Sequence, residues 1–221
     1  MAPLKLYYYP PCPPYRAVQF AIEYLKIDVE KIIVDLSKEE QLKPEFLKIN
    51  PQHCLPTIDD DGYIMWESRA ILAYLVNFRA PGSSLYPLDP KKRGLIDSRL
   101  SLDSSIMHAL GNVIGLIYSG ETTIPQEKKD KVYTLLGHLN NFIEGKNYIA
   151  GDELTIADFS FLSTFATLKV VGANVAKFPN LMDWYKRCES VPGFQVNEDG
   201  AKALIDYIAS RTLFKGESWD E

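Results

Sequence analysis

Three short segments carry residue types that could do chemistry together. The first is Pro10-Pro11-Cys12-Pro13-Pro14, followed at once by Tyr15 and Arg16. Prolines fix φ and remove backbone donors, so this run ends any strand before it and suits the first turn of a helix after it. The first turn of a helix holds unpaired N–H groups and a partial positive charge, and a thiol placed there is favoured as the anion. A thiol of pKa about 8.5 is only a few per cent ionised at pH 7, and lowering it by two units needs about 2.7 kcal/mol of preferential anion stabilisation. A helix terminus, a hydroxyl or thiol donor and a nearby cation could supply that between them, which makes Cys12 the candidate reactive group. The plain alternative is a small buried hydrophobe, and that is the reading for Cys54 and Cys188.

The second segment is Asn50-Pro51-Gln52-His53-Cys54-Leu55-Pro56-Thr57. A proline just before a strand can be cis, which turns the preceding backbone outward. Leu55 would then offer its N–H and C=O to an extended peptide, as an added strand does. An ordinary loop proline is the alternative. The third segment is Glu67-Ser68-Arg69 at the start of a helix. Backbone N–H groups and Ser68 suit a carboxylate there, and Glu67 suits an ammonium group. Simple helix capping would use the same residues.

The elements that must position these groups follow from pattern. Residues 4–9 read as a buried strand, and Val18, Ala21, Ile22 and Leu25 mark a helix after Cys12. Residues 28–36 read as a second strand and 43–49 as a short helix stopped by Asn50-Pro51. Residues 57–59 and 63–66 read as strands joined at the Asp60-Asp61-Gly62 turn, with a helix from Glu67-Ser68 to Phe78. The order is β-α-β-α-β-β-α over residues 1–80, then a turn-rich linker over 81–90. Almost everything in 91–221 reads as helix. Leu95, Leu100 and Leu102 mark one helix that runs to Tyr118, and Val132, Leu135, Leu136, Leu139 and Phe142 share one face of another over 128–143. Residues after Phe214 are polar apart from Trp219 and read as loose.

Residues 7–18, 50–56 and 66–71 together resemble the cytosolic glutathione transferases, above all the insect delta/epsilon group, and the resemblance covers essentially the whole chain. It includes Leu154-Thr155-Ile156-Ala157-Asp158-Phe159, which is similar to that family's helix-capping motif. This motif has its own logic: Thr155 caps the helix, Asp158 reaches back from the third position, and Leu154 staples onto Phe159. It reads as a folding element, not as catalysis.

The resemblance implies a thioredoxin-like α/β domain over 1–80, a linker over 81–90, and an all-α domain over 91–221 that contributes an electrophile site. It implies a homodimer that conjugates glutathione, as thiolate, to hydrophobic electrophiles in detoxification. Glutathione is then a co-substrate, with no permanent cofactor and no metal. By the same resemblance His53 meets the glycine end of glutathione, Cys54 and Leu55 lie along its cysteinyl backbone beside cis-Pro56, and Glu67 and Ser68 hold the γ-glutamyl end with Arg69 beside them. Glutathione carries two carboxylates and one ammonium, so a helix start, an imidazole and an acid suit its charges. Ile106, His108, Val113, Tyr118, Phe165 and Phe214 would line the electrophile pocket. Arg69, Arg99 and Asp103 would lie at or near the dimer interface.

One departure falls on the reacting position. Delta/epsilon members usually have Ser where this chain has Cys12. A hydroxyl stabilises a thiolate by donating a hydrogen bond; an S–H is a weaker donor and is itself a nucleophile able to form a mixed disulfide. Cys-Pro-Pro-Tyr also resembles the active segment of omega-class transferases and glutaredoxins. Tyr8 or Tyr9 is the second-choice donor. Two other functions stay open on these grounds: a Cys12-dependent thiol transferase that reduces disulfides or dehydroascorbate, and a non-catalytic carrier of apolar ligands. His53, Pro56, Glu67 and Ser68 speak against the carrier, which needs no glutathione site.

Composition excludes other classes. The 221 residues are 46% hydrophobic and 24% charged, as in ordinary globular proteins. With 24 Lys+Arg against 29 Asp+Glu the net charge is −5, and Lys91-Lys92-Arg93 is too short to track phosphates, so nucleic acid is not a partner. Three cysteines without a CxxC pair suggest neither a disulfide framework nor a zinc site. The longest apolar stretch, 156–171, is broken by Asp158, Ser160, Ser163, Thr164 and Lys169 and falls short of the ~18 residues a membrane span needs. The first residues lack the apolar run of a secretion signal, which makes the cytosol the expected compartment.

Overall fold

A computed structural model describes residues 3–121, 123–214 and 218–220. Four strands form one mixed sheet: β1 (Leu4–Tyr8), β2 (Val29–Ile33), β3 (Thr57–Asp60) and β4 (Tyr63–Trp66), in the order β2-β1-β3-β4. β1 runs parallel to β2 and antiparallel to β3, which is antiparallel to β4. A parallel pair needs a crossover, and α1 (Pro13–Leu25) supplies it, starting with prolines and ending at Lys26 in the left-handed region. Asp61 and Gly62, both at positive φ, make the β3–β4 hairpin turn that the sequence anticipates.

Alternation along β1 divides the core. Leu4, Leu6 and Tyr8 join the main apolar cluster with α1 and α3 (Ser68–Arg79). Tyr7 and Tyr9 pack on a smaller cluster of Val34, Phe46 and Leu55, with Phe46 supplied by α2 (Pro44–Leu47). The second strand is shorter than 28–36 because Asp35 accepts the Ser37 N–H at 2.9 Å and starts a tight turn.

The rest is helical: α4 (Pro90–Tyr118), α5 (Gln126–Phe142), α6 (Ile156–Val170), α7 (Pro179–Arg187) and α8 (Phe194–Ala209). α6 is buried on every side from Ile156 to Leu168 and packs against α1, α4 and α8. An all-round buried helix explains why 156–171 reads as apolar without amphipathic pattern. Yet α4, not α6, has the length and composition of a membrane span. It buries Ile96, Leu100, Ile106, Leu110, Val113 and Ile117 against its neighbours, as a core helix does. On α5, Phe142 departs from the expected face: it is exposed, and the Arg99 guanidinium lies 4.4 Å over its ring.

Asp89 caps α4, accepting N–H groups of Lys91 at 3.0 Å and Lys92 at 2.8 Å. Asp89→Ala should lower stability by about 1 kcal/mol, as other caps do, read by urea unfolding.

The expectation of a loose tail is corrected where the tail is described. Trp219 is 2% exposed; its N–H donates to Gly172 O at 2.9 Å and its indole N–H to Val171 O at 2.5 Å. Asp220 pairs with Lys177 at 2.8 Å. A large aromatic ring with an N–H to satisfy outweighs its polar neighbours. Residues 215–217 and 221 lie outside the described residues.

Candidate functional site

Strand register brings the three segments to one end of the sheet. β1 ends beside Cys12, Thr57 pairs with both Tyr7 and Trp66, and Trp66 leads directly into Glu67 and α3. The Trp66 indole N–H also donates to Gln52 Oε1, tying the second segment to the third.

Cys12 occupies the cap position of α1, its N–H donating to Tyr9 O at 3.0 Å. Its thiol donates to Leu55 O at 3.4 Å, joining the first and second segments. Burial pushes this thiol up to about 11, against the pull of the Tyr15 N–H and of Arg16. Desolvation thus works against the helix terminus at this thiol and favours its protonated form.

Arg16 has a different task from steadying that thiol. It is 1% exposed, and it donates from Nη1 to Asn197 O at 3.1 Å and Oδ1 at 2.8 Å, and from Nη2 to Thr167 Oγ1 at 2.5 Å. It fastens α1 to α6 and α8. Burial brings it down to about 10, with Cys12 foremost among the groups that hold it up. Gly200 makes room: a Cβ there would lie 2.5 Å from Arg16 Cδ and 2.8 Å from Pro10 O.

The second segment is built on Asn50, which pattern reading missed. Fully buried, Asn50 donates from Nδ2 to Cys54 O at 3.1 Å and Thr57 Oγ1 at 2.9 Å, and accepts the Gln52 N–H at 2.9 Å. It holds the loop that ends in the cis Leu55–Pro56 bond anticipated above. Cys54 is half-buried with its Sγ 3.4 Å from Asn50 Nδ2, and the His53 side chain is exposed at φ 46. The signal for Asn50 was a loop Asn whose amide could bond its own backbone.

At the third segment, Glu67 precedes α3 with φ 72, an unfavoured value for a residue with a side chain. Such strain is concentrated at functional sites. Its carboxylate is exposed, and Ser68 is buried at the first turn of α3. Arg69 does not join them. It is paired within the chain to Asp103, through Nε at 3.1 Å and Nη2 at 2.5 Å. Asp103 is fully buried and also accepts Ser160 Oγ at 2.5 Å and Thr164 Oγ1 at 2.6 Å. A buried carboxylate needs these partners. Arg99 bonds Ile149 O at 3.3 Å.

The expected electrophile pocket is mostly displaced. Ile106, Val113 and Phe165 are core residues, fully or almost fully buried, because helical spacing alone does not separate a pocket face from a packing face. His108 lies on the exposed side of α4, in an open polar groove with Ser101, Ser104, Ser105, Asn112 and Lys131. Phe214 lines a cavity of about 490 Å³ with Ile117, Ile124 and Trp219. Only Tyr118 faces the reacting end. Its ring meets Tyr207 edge-on at 6.1 Å, and Tyr207 meets Tyr9 edge-on at 6.3 Å. Tyr9 therefore belongs to an aromatic wall beside Cys12, while Tyr8 is packed on Tyr15 at 4.5 Å. Tyr207 and Arg211, whose guanidinium lies 4.7 Å over the Tyr207 ring, were not anticipated. Among the described residues no cluster of three or more His, Cys, Asp or Glu could hold a metal ion.

Comparison with known proteins agrees with this geometry. Residues 2–77 match the family Glutathione S-transferase, N-terminal domain, and residues 103–192 match Glutathione S-transferase, C-terminal domain. The chain is 40% identical over 218 residues to Glutathione S-transferase D7 of Drosophila melanogaster, covering 96% of this chain and 97% of that one. A solved delta-class glutathione transferase of Nilaparvata lugens superposes with TM-score 0.90 at 34% identity, over 95% of this chain and 100% of that one. An epsilon-class glutathione S-transferase of Musca domestica gives TM-score 0.87 at 38% identity, over 94% and 98%. A glutathione transferase homologue of Drosophila mojavensis, solved with bound glutathione, gives 0.89 at 35%, over 96% and 99%. A mixed four-stranded sheet with its helices, a helical domain packed on it, and three glutathione-type motifs at one sheet end make this chain a member of the glutathione transferase family, of delta/epsilon kind.

Proposed function

We propose that this transferase binds glutathione at the end of the sheet and adds its sulfur to apolar electrophiles held against Tyr9, Tyr118 and Tyr207. The observation that carries the reading is the Cys12 thiol pointing at the Leu55 carbonyl, beside the cis proline and between two helix starts. Leu55 offers its backbone to the cysteinyl part of glutathione. Cys54 and Pro56 border it, His53 stands at the glycine carboxylate, and Ser68 with the α3 N-terminus takes the γ-glutamyl carboxylate. Glu67 takes the ammonium group. The bound homologue of Drosophila mojavensis supports glutathione as the ligand.

Chemically, the glutathione thiol releases its proton to solvent, and Cys12 turns its one S–H from the Leu55 carbonyl to the resulting thiolate. The sulfur then forms a bond to carbon. A halide departs with its electron pair, or an activated double bond takes up the pair and then a proton. Closeness of thiolate and electrophile in an aromatic cleft supplies part of the rate. The domain division follows the same reading: 1–80 binds glutathione, 81–90 links, and 91–221 contributes the electrophile side. The protein acts as a cytosolic homodimer. The ring series of exposed Tyr63, half-buried Tyr74 and exposed Phe78, with centroids 5.3 and 5.4 Å apart, supports pairing through that face. A high-pKa Cys12 favours conjugation over thiol transfer.

The test is the steady-state rate of glutathione addition to a simple aryl chloride. Wild type should give a saturable rate well above background. Cys12→Ser should keep or raise it, and Cys12→Ala should lower it about tenfold or more, since one donor to the sulfur anion is lost. Background rate in wild type, together with disulfide reduction that vanishes in Cys12→Ser, would move the function to thiol exchange.

A further inference from the structure

We propose that Arg211 forms an anion-recognising rim on the electrophile site, so that the favoured acceptors are apolar electrophiles carrying a carboxylate. This rests on the conjugating function above and names its substrate class.

Tyr9, Tyr118 and Tyr207 come from the end of β1, from α4 and from α8, and they make an apolar wall beside Cys12. Arg211, just past α8, lays its guanidinium over the Tyr207 ring. An arginine stacked on an aromatic face is held in a plane, with its N–H fork free at the edge for a planar anion. Among the described residues no carboxylate lies within ion-pair distance of it. The acid that faces Tyr9, Asp35, is already engaged by Lys38 at 3.0 Å and by the Ser37 hydroxyl at 2.6 Å. Burial pushes the Tyr118 hydroxyl up to about 12 and raises that of Tyr9, so both remain neutral donors. The wall thus presents phenol O–H donors and one cation. In a chain of net charge −5 this is a local exception. It would draw an acid to a molecule that otherwise repels one.

A competing role for Arg211 is purely structural, as a cation near the negative end of α8. The two roles separate in a matched pair of acceptors, 4-chloro-3-nitrobenzoate and its methyl ester. Their intrinsic reactivities differ, but that difference cancels when the acid-to-ester ratio of kcat/KM is compared between proteins. Arg211→Gln should lower that ratio about fivefold or more, the size of a well-placed exposed charge contact. The loss should fall on the acid and leave the ester within twofold. Arg211→Lys should restore part of it. An unchanged ratio, or equal loss on both acceptors, overturns the proposal. Calorimetric binding of the unreactive pair, 4-methyl-3-nitrobenzoate and its methyl ester, reads Arg211 without turnover. If wild type conjugates neither chloride, the conjugating function fails. The rim still stands if wild type binds the acid more tightly than the ester and Arg211→Gln abolishes that preference. It falls if the two proteins bind the pair alike.

Discussion

Asp158→Ala should remove roughly 4 kcal/mol or more of folding stability, since each buried donor left without a partner costs about 1–3 kcal/mol. Asp158 is fully buried, and its oxygens accept four hydrogen bonds. Oδ1 takes the Ile149 N–H and the Trp184 indole N–H, both at 2.9 Å; Oδ2 takes the Thr155 N–H at 2.8 Å and the Thr155 hydroxyl at 3.1 Å. One carboxylate thus closes the capping box of α6, anchors the loop before it and fixes an indole from α7. Alanine orphans two backbone donors and an indole at once. Against a total of about 5–15 kcal/mol for a typical protein, that loss is visible as a large fall in urea midpoint. A midpoint within 1 kcal/mol of wild type would show that water reaches these donors. The pH dependence has a definite sign. Burial pushes this carboxyl up to about 6, so between its unfolded value near 4 and 6 the folded chain holds a proton that the unfolded chain has released. Its contribution therefore favours the fold at the low end of that window and falls as pH rises through it. Asp158→Asn should remove that slope.

Gly200→Ala is expected to damage both stability and turnover. In an exposed helix the change would stabilise by up to about 1 kcal/mol. Here the new methyl would meet Arg16 Cδ at 2.5 Å and Pro10 O at 2.8 Å. Arg16 cannot swing away without breaking its bonds to Asn197 and Thr167. Pro10 O is backbone, two residues before Cys12. Either α8 retreats from α1 or the Cys12 turn shifts. Overpacking of this kind costs about 1–3 kcal/mol, occasionally more, and a displacement near 1 Å at a reacting group can cost about a hundredfold in rate. Loss of conjugation at least tenfold, with a lowered urea midpoint, is the expected pair of readings. Wild-type kinetics in a folded Gly200→Ala would mean that α8 does not set the position of the Cys12 turn.

What could be read ahead of the structure was local. Cys12, Leu55-Pro56 and Glu67-Ser68 each sit in a run whose turn chemistry is written in neighbouring residues, and the capping box at Thr155 and Asp158 spans four positions. The order of elements along residues 1–80 followed from apolar pattern and turn residues. What escaped depended on distant contacts. The direction of the Cys12 shift is set by burial, which no local rule measures. The pairing of Arg69 with Asp103 spans from α3 to α4, beyond any local rule. Ile106, Val113 and Phe165 carried the right spacing for a pocket, but spacing does not tell which neighbour covers a face. Tyr207 and Arg211 come beside Tyr9 only because the end of α8 returns to the end of β1.

Trp219 has a consequence for synthesis. Its indole is bonded to the carbonyl of Val171 and packed 5.8 Å from Tyr133, on segments made long before it. While the chain is still emerging from the ribosome, the middle of α5 and the end of α6 carry an open socket. The sheet and α1 can settle early, yet the helical half stays incomplete until residue 219 is free to turn back into it. Late emergence of that one ring gives the newborn helices a period in which apolar surface is bare, and that is when a chaperone has most to hold.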